Sequence, residues 1–123
     1  MKAVFQFLNR LRLRIVWSFA GLRDAYVHQH SFRSWVWANA VSAALAFWLP
    51  IGGAERALII ALGILVLAAE AVNTAIEYTV DYISTERHPL AGRAKDAASA
   101  AVFLTSLAAG AAWAVALWGL WAG

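Results

Sequence analysis

The chain has 123 residues, 63% of them hydrophobic and only 14% charged, with a net charge of +3. That length allows one domain, and so apolar a composition excludes an ordinary soluble bundle, whose helices would each carry a polar stripe. Cysteine is absent, which excludes disulfides, thiolate catalysis and cysteine-bound metal.

Residues 1–33 mix Phe, Leu, Ile and Trp with Arg10, Arg12, Arg14, Arg23 and Arg33. Lys2 and the first three arginines interrupt what would have to be the apolar core of a signal peptide. Aromatic and basic residues in one segment suit an amphipathic helix lying in a membrane interface. The alternation in LRLRI also fits a strand, but a lone strand beside a membrane leaves its edges unpaired. A helix broken near Gly21 or Ser31 is therefore expected.

Three segments follow that are long and almost free of charge: 34–54, 57–83 and 97–123. A spanning helix needs about 20 predominantly apolar residues. The expected fold is therefore an all-α integral membrane domain over residues 1–123, with three transmembrane helices after the interfacial segment. Pro50, Gly52 and Gly53 mark a tight turn after the first span. Residues 84–96, STERHPLAGRAKD, form a polar second connection in which Ser84 or Thr85 is expected to cap a short helix. Ala and Gly on the spans favour close helix approach, and hence a homo-oligomer.

Six of the ten Lys and Arg residues lie at positions 2 to 33, and Arg87, Arg93 and Lys95 lie in the second connection. Only Arg56 falls near the first turn. The positive-inside rule places the N-terminus and residues 84–96 in the cytoplasm, with the 50–56 turn and the C-terminus outside. Trp113, Trp118 and Trp121 suit the outer interfacial belt, and Trp35, Trp37 and Trp48 lie near the ends of the first span.

The chemistry-bearing segment is AEAVNTAIEYTVD, residues 69–81. Glu70, Asn73, Glu77 and Asp81 are spaced 3, 4 and 4 residues apart, which puts them on one helix face. Ionisable groups in a membrane helix are costly and by default functional. Hard oxygen donors suit Mg²⁺ with substrate phosphates. His88, Arg93, Lys95 and Asp96 lie close by in the polar connection, a combination that fits phosphoryl transfer from a nucleotide. No GxxxxGK[ST] loop is present. On these residues alone, a proton- or cation-coupled transporter remains a competing reading.

EAVNTAIEYTVD together with HPLAGRAKDAASAAV closely resembles the prokaryotic diacylglycerol kinase family, which includes undecaprenol kinases; GLRDAY and SFR extend the likeness over nearly the whole chain. The resemblance implies a homotrimer in a bacterial inner membrane, with active sites shared between subunits at the cytoplasmic interface. ATP with Mg²⁺ would phosphorylate a lipid alcohol, diacylglycerol, with undecaprenol as the alternative acceptor. A non-enzymatic small transporter or diverged scaffold is the reading from another class. Self, membrane lipids, ATP and the lipid alcohol are the expected partners, and nucleic acid is not.

By the same resemblance, Glu70 is the catalytic base at the lipid hydroxyl, and Asn73 and Glu77 are phosphate and metal residues. Lys95 stabilises phosphate, while Asp96, Glu86 and His88 surround the nucleoside. Trp17 covers the adenine, and Arg10 and Ser99 lie near the lipid headgroup and γ-phosphate. Gln29 stands where the family has a metal-binding acid, so it is expected at the metal and nucleotide with a neutral oxygen. Trp35 replaces a further expected acid. His28 and His30 flank Gln29, and on a regular helix their spacing turns them to different sides.

Overall fold

The computed structural model describes residues 1–123 as four helices: α1 (Lys2–His28), α2 (His30–Trp48), α3 (Gly53–Ile83) and α4 (Pro89–Ala122). α1 runs through Gly21 without interruption, and the break falls instead at Gln29, whose backbone is extended (φ −109°, ψ 112°). Gln29 serves both helices. Its N–H donates to Ala25 O at 2.9 Å, and its carbonyl accepts from Arg33 N–H at 3.2 Å. The Arg33 guanidinium donates to Tyr26 O at 2.9 Å and Val27 O at 3.3 Å. A cation at a helix C-terminus satisfies orphan carbonyls and opposes the helix dipole. The LRLRI stretch is helical throughout.

The turn between α2 and α3 uses the same device. Arg56 donates to Ala46 O at 2.7 Å and to Leu49 O and Ile51 O at 3.4 and 3.3 Å, and its guanidinium lies 5.5 Å from the Phe47 ring centre. Glu55 closes the start of α3 by accepting from Gly52 N–H at 2.9 Å. Between α3 and α4 the expected cap is corrected. Ser84 Oγ accepts from Glu86 N–H within the turn, while the cap of α4 is His88, whose Nδ1 accepts from Leu90 N–H at 3.1 Å. Pro89 then occupies the first helical position, where its missing N–H costs nothing. The helix is not short, and GRAKD lies on its first two turns.

α2, α3 and α4 pack up, down and up, with α3 in the centre. Ala46, Ile51, Ile59 and Ala116 form an apolar cluster at the end carrying the Gly53 turn, with Leu49, Ala112 and Trp113 packed against it. Trp113 Nε1 donates to Ser42 Oγ at 2.8 Å, tying α4 to α2. A Cβ on Gly63 would collide with Asn39 Oδ1, so glycine here permits the close approach of α2 and α3. α1 meets the bundle only near its C-terminal end, where Ala25 is buried, and Phe5, Phe7, Trp17 and Phe19 remain exposed along its length.

α3 and α4, at 31 and 34 residues, are each long and apolar enough to cross a membrane. At 1.5 Å per residue they extend roughly 45 and 50 Å, more than the hydrocarbon core of about 30 Å. Both therefore extend beyond it, α3 at the end carrying Glu77 and Asp81 and α4 at the end carrying Arg93, Lys95 and Asp96. Phe47, Leu65, Leu104, Leu107 and Val115 stay exposed on the outside of the bundle, a surface suited to lipid rather than water.

Candidate functional site

The buried residues of α3 include Ile59, Gly63, Val66, Glu70 and Asn73. Their spacing alternates between 4 and 3 residues, the spacing of a helix face turned toward its neighbours. Glu77 continues the series. The acids thus prolong the packing stripe of α3, and the face that is apolar near Gly53 becomes polar from Glu70 onward. Glu70 is 3% exposed and Asn73 8%.

Glu70, Asn73 and Glu77 share a cavity of about 420 Å³ with Ser31 and Trp35 of α2 and Ser99, Val102, Phe103 and Ser106 of α4. Asn73 Nδ2 donates to Glu77 Oε1 at 3.3 Å. Asn73 Oδ1 is buried without any hydrogen-bond partner. An unsatisfied buried acceptor costs about 1–3 kcal/mol, a cost that a water or a ligand seated in the cavity would relieve. Two carboxylates and a free amide oxygen form a hard donor set that fits a divalent cation such as Mg²⁺. No group of three or more His, Asp or Glu side chains is gathered closely enough to hold a metal ion by itself.

Asp81, the outermost member of the stripe, belongs to a second hollow. With Glu86, His88, Gly92 and Lys95 it lines about 480 Å³ at the α3–α4 turn. Lys95 Nζ donates to Asp81 Oδ1 at 2.7 Å. Asp96 is exposed on the next position of α4. Arg10 and Trp17 lie seven residues apart on one face of α1, where with Leu13 and Arg14 they border a cleft of about 310 Å³. Within one chain this cleft is separate from the Glu70 cavity.

Gln29 is half-buried at the α1–α2 break. Its Nε2 donates to Tyr78 Oη at 3.1 Å, and Tyr78 Oη donates to Asp24 Oδ2 at 3.0 Å. It is held beside α3, next to the residue that follows Glu77, and does not line the Glu70 cavity. Ser31 and Ser106, which do line it, carry no distinguishing spacing in the sequence. The ties of Asp24 and Tyr78 link residues more than fifty positions apart and leave no local signal either.

The model of the family described as prokaryotic diacylglycerol kinase matches residues 16–117. The chain is 42% identical over 112 residues to a diacylglycerol kinase of Pseudomonas aeruginosa, covering 91% of each protein. It is 39% identical over 102 residues to that of Escherichia coli K12, covering 83% of this chain and 84% of the relative. Against the diacylglycerol kinase of Haemophilus influenzae the identity is 39% over 97 residues, covering 79% and 82%.

Proposed function

The chain belongs to the prokaryotic diacylglycerol kinase family and is a membrane lipid kinase, and on that premise we propose that it transfers the γ-phosphate of ATP to diacylglycerol at the Glu70 cavity, giving phosphatidic acid. The observation that carries this placement is the buried Glu70 carboxylate sharing one cavity with Asn73, Glu77 and Ser99.

Glu70 accepts the proton of the lipid hydroxyl, a role for a positioned carboxylate. The hydroxyl oxygen then forms its bond to the γ-phosphorus as the bond to the β–γ bridging oxygen breaks, and ADP departs. Ser99 faces the same cavity and orients the acceptor. Glu77 and Asn73 Oδ1 would hold Mg²⁺, which would offset charge on the phosphates; Gln29, expected at the metal, stands outside this cavity beside Tyr78. Lys95 supplies a further positive charge to the transferring group, and Glu86, His88 and Asp96 receive the nucleoside. Arg10 and Trp17 approach the nucleotide and headgroup.

The assembly in this reading is a homotrimer in the bacterial inner membrane with shared sites. Three observations support it: the small residues along the spans, the uncovered apolar faces, and the fact that the Arg10–Trp17 cleft shares no lining residue with the Glu70 cavity within one chain. α2, α3 and α4 are its three spans. The 19 residues of α2 rise about 28 Å, close to the hydrocarbon thickness. Measured from the Gly53 turn, Glu70 lies about 25 Å along α3, so Glu77 and Asp81 reach the polar boundary where ATP arrives.

The test is transfer from labelled ATP by purified protein in mixed micelles containing diacylglycerol or undecaprenol. Labelled phosphatidic acid as the main product is expected. Faster labelling of undecaprenol would reassign the acceptor, and no transfer to either would remove the proposal.

A further inference from the structure

We infer that Ser106 is a specificity-determining residue of the acceptor site, whose hydroxyl meets the ester carbonyl of a diacylglycerol beside Glu70 and so tells an ester-bearing lipid alcohol from one without an ester. The inference deepens the reading that the lipid hydroxyl meets Glu70, and rests on it.

The depth of Ser106 follows from the pairing of α3 with α4. The two helices run antiparallel, and Lys95 Nζ meets Asp81 Oδ1 at the polar end. Eleven residues from Asp81 along α3 lies Glu70, and eleven from Lys95 along α4 lies Ser106. At the other end, Glu55 Oε1 would lie 3.8 Å from a Cβ on Gly119. Fifteen residues from each of these, Glu70 comes level with Leu104. Glu70 is therefore level with positions 104 to 106 of α4. Leu104 is exposed on the outside of the bundle, whereas Ser106 is half-buried and lines the cavity. Ser99 lies seven residues nearer the polar end, about 10 Å along the helix, level with Glu77.

That order matches a diacylglycerol held in the bilayer. Its hydroxyl points toward the polar end, where ATP arrives, and its ester groups follow on the membrane side. The Ser106 hydroxyl donates to Phe103 O at 2.7 Å. Serine inside a helix commonly places its proton on a carbonyl one turn back. Phe103 O lies within α4, where a helical N–H already serves it. The serine proton can therefore turn to a ligand and leave no backbone group unpaired. Thr105 donates to Ala101 O and Val102 O at 2.9 Å in the same manner, but does not line the cavity. An ester carbonyl seated beside Glu70 accepts the Ser106 proton, and a polyprenol has no carbonyl to offer.

The experiment compares a 1,2-diacylglycerol with the ether-linked 1,2-dialkylglycerol of the same chain length, which keeps the hydroxyl and the chains and lacks the carbonyls. Transfer from labelled ATP in mixed micelles is measured for the parent, Ser106→Ala, Ser106→Thr, Thr105→Val and Glu70→Gln. The parent should favour the ester lipid about three- to tenfold in kcat/KM, the worth of one neutral hydrogen bond. Ser106→Ala should lose that factor on the ester lipid, through KM rather than kcat, and leave the ether lipid unchanged. Ser106→Thr should keep the preference, and so should Thr105→Val. A parent that uses both lipids equally, or a Ser106→Ala protein that keeps the preference or loses both lipids alike, overturns the inference. Loss of the preference in Thr105→Val does so too, because the effect would then belong to the helix and not to the cavity. If Glu70→Gln abolishes transfer while Ser106→Ala keeps the preference, only the role of Ser106 falls. If Glu70→Gln transfers at the parental rate, the Glu70 reading and this inference fall together.

Discussion

Lys95 Nζ lies 2.7 Å from Asp81 Oδ1, joining the second turn of α4 to the last turn of α3 across the polar end of the bundle. Both side chains are substantially exposed, and exposed pairs add little to stability, about 0–1 kcal/mol. The pair instead holds the cation at the mouth of the hollow lined by Glu86 and His88. Lys95→Met is expected to lower turnover by about a hundredfold or more with little change in melting temperature. Asp81→Asn should alter turnover far less, since the lysine keeps its charge. Rate assays and thermal melts on the two proteins check this.

Glu70→Gln keeps the shape of the side chain and removes its capacity to accept a proton. A loss of about a hundredfold or more in turnover is expected, with the elution profile and melting temperature retained. Parental turnover in this variant would remove Glu70 from the chemistry.

Asn73 separates stability from activity. Its Oδ1 is buried and unpartnered, so its loss breaks no bond, whereas loss of Nδ2 removes the donor to Glu77 Oε1. Asn73→Leu is expected to melt close to the parent, the one long bond to Glu77 being lost, while losing most of its activity and requiring more Mg²⁺. A marked fall in melting temperature would show that the amide is retained for packing.

Arg33 caps the last carbonyls of α1 from the first turn of α2. Arg33→Ala should fray residues 25–28, with amide hydrogen exchange there rising about fivefold, as for the loss of about 1 kcal/mol. Arg33→Lys should recover only part of the protection, because a single ammonium replaces a forked set of donors.

Accessibility labelling tests the orientation. Single cysteines replacing Gly92 should react from the cytoplasmic side, and those replacing Gly53 from the outside, following the distribution of Lys and Arg. Labelling of position 92 from outside would cut the Lys95 hollow off from cytoplasmic ATP.

The helical, membrane-suited character of the chain is legible in its composition, because long uncharged segments have few stable alternatives in lipid. The common face of Glu70, Asn73 and Glu77 is legible as well, since helix periodicity follows from spacing alone. The break at Gln29 is not. It depends on the Arg33 guanidinium reaching back to Tyr26 and Val27, while Gly21, the residue of lower helix propensity, sits inside an unbroken helix. Nor does spacing reveal that GRAKD is helical, which follows from the His88 cap and Pro89 at the first position of α4. Tertiary structure alone decided two further matters: that Asp81 meets Lys95, and that Tyr78 and Asp24 take hold of Gln29. Such pairings arise when α3 packs against its neighbours. A sequence records which side chains share a helix face, but only packing between helices sets which donor meets which acceptor across it.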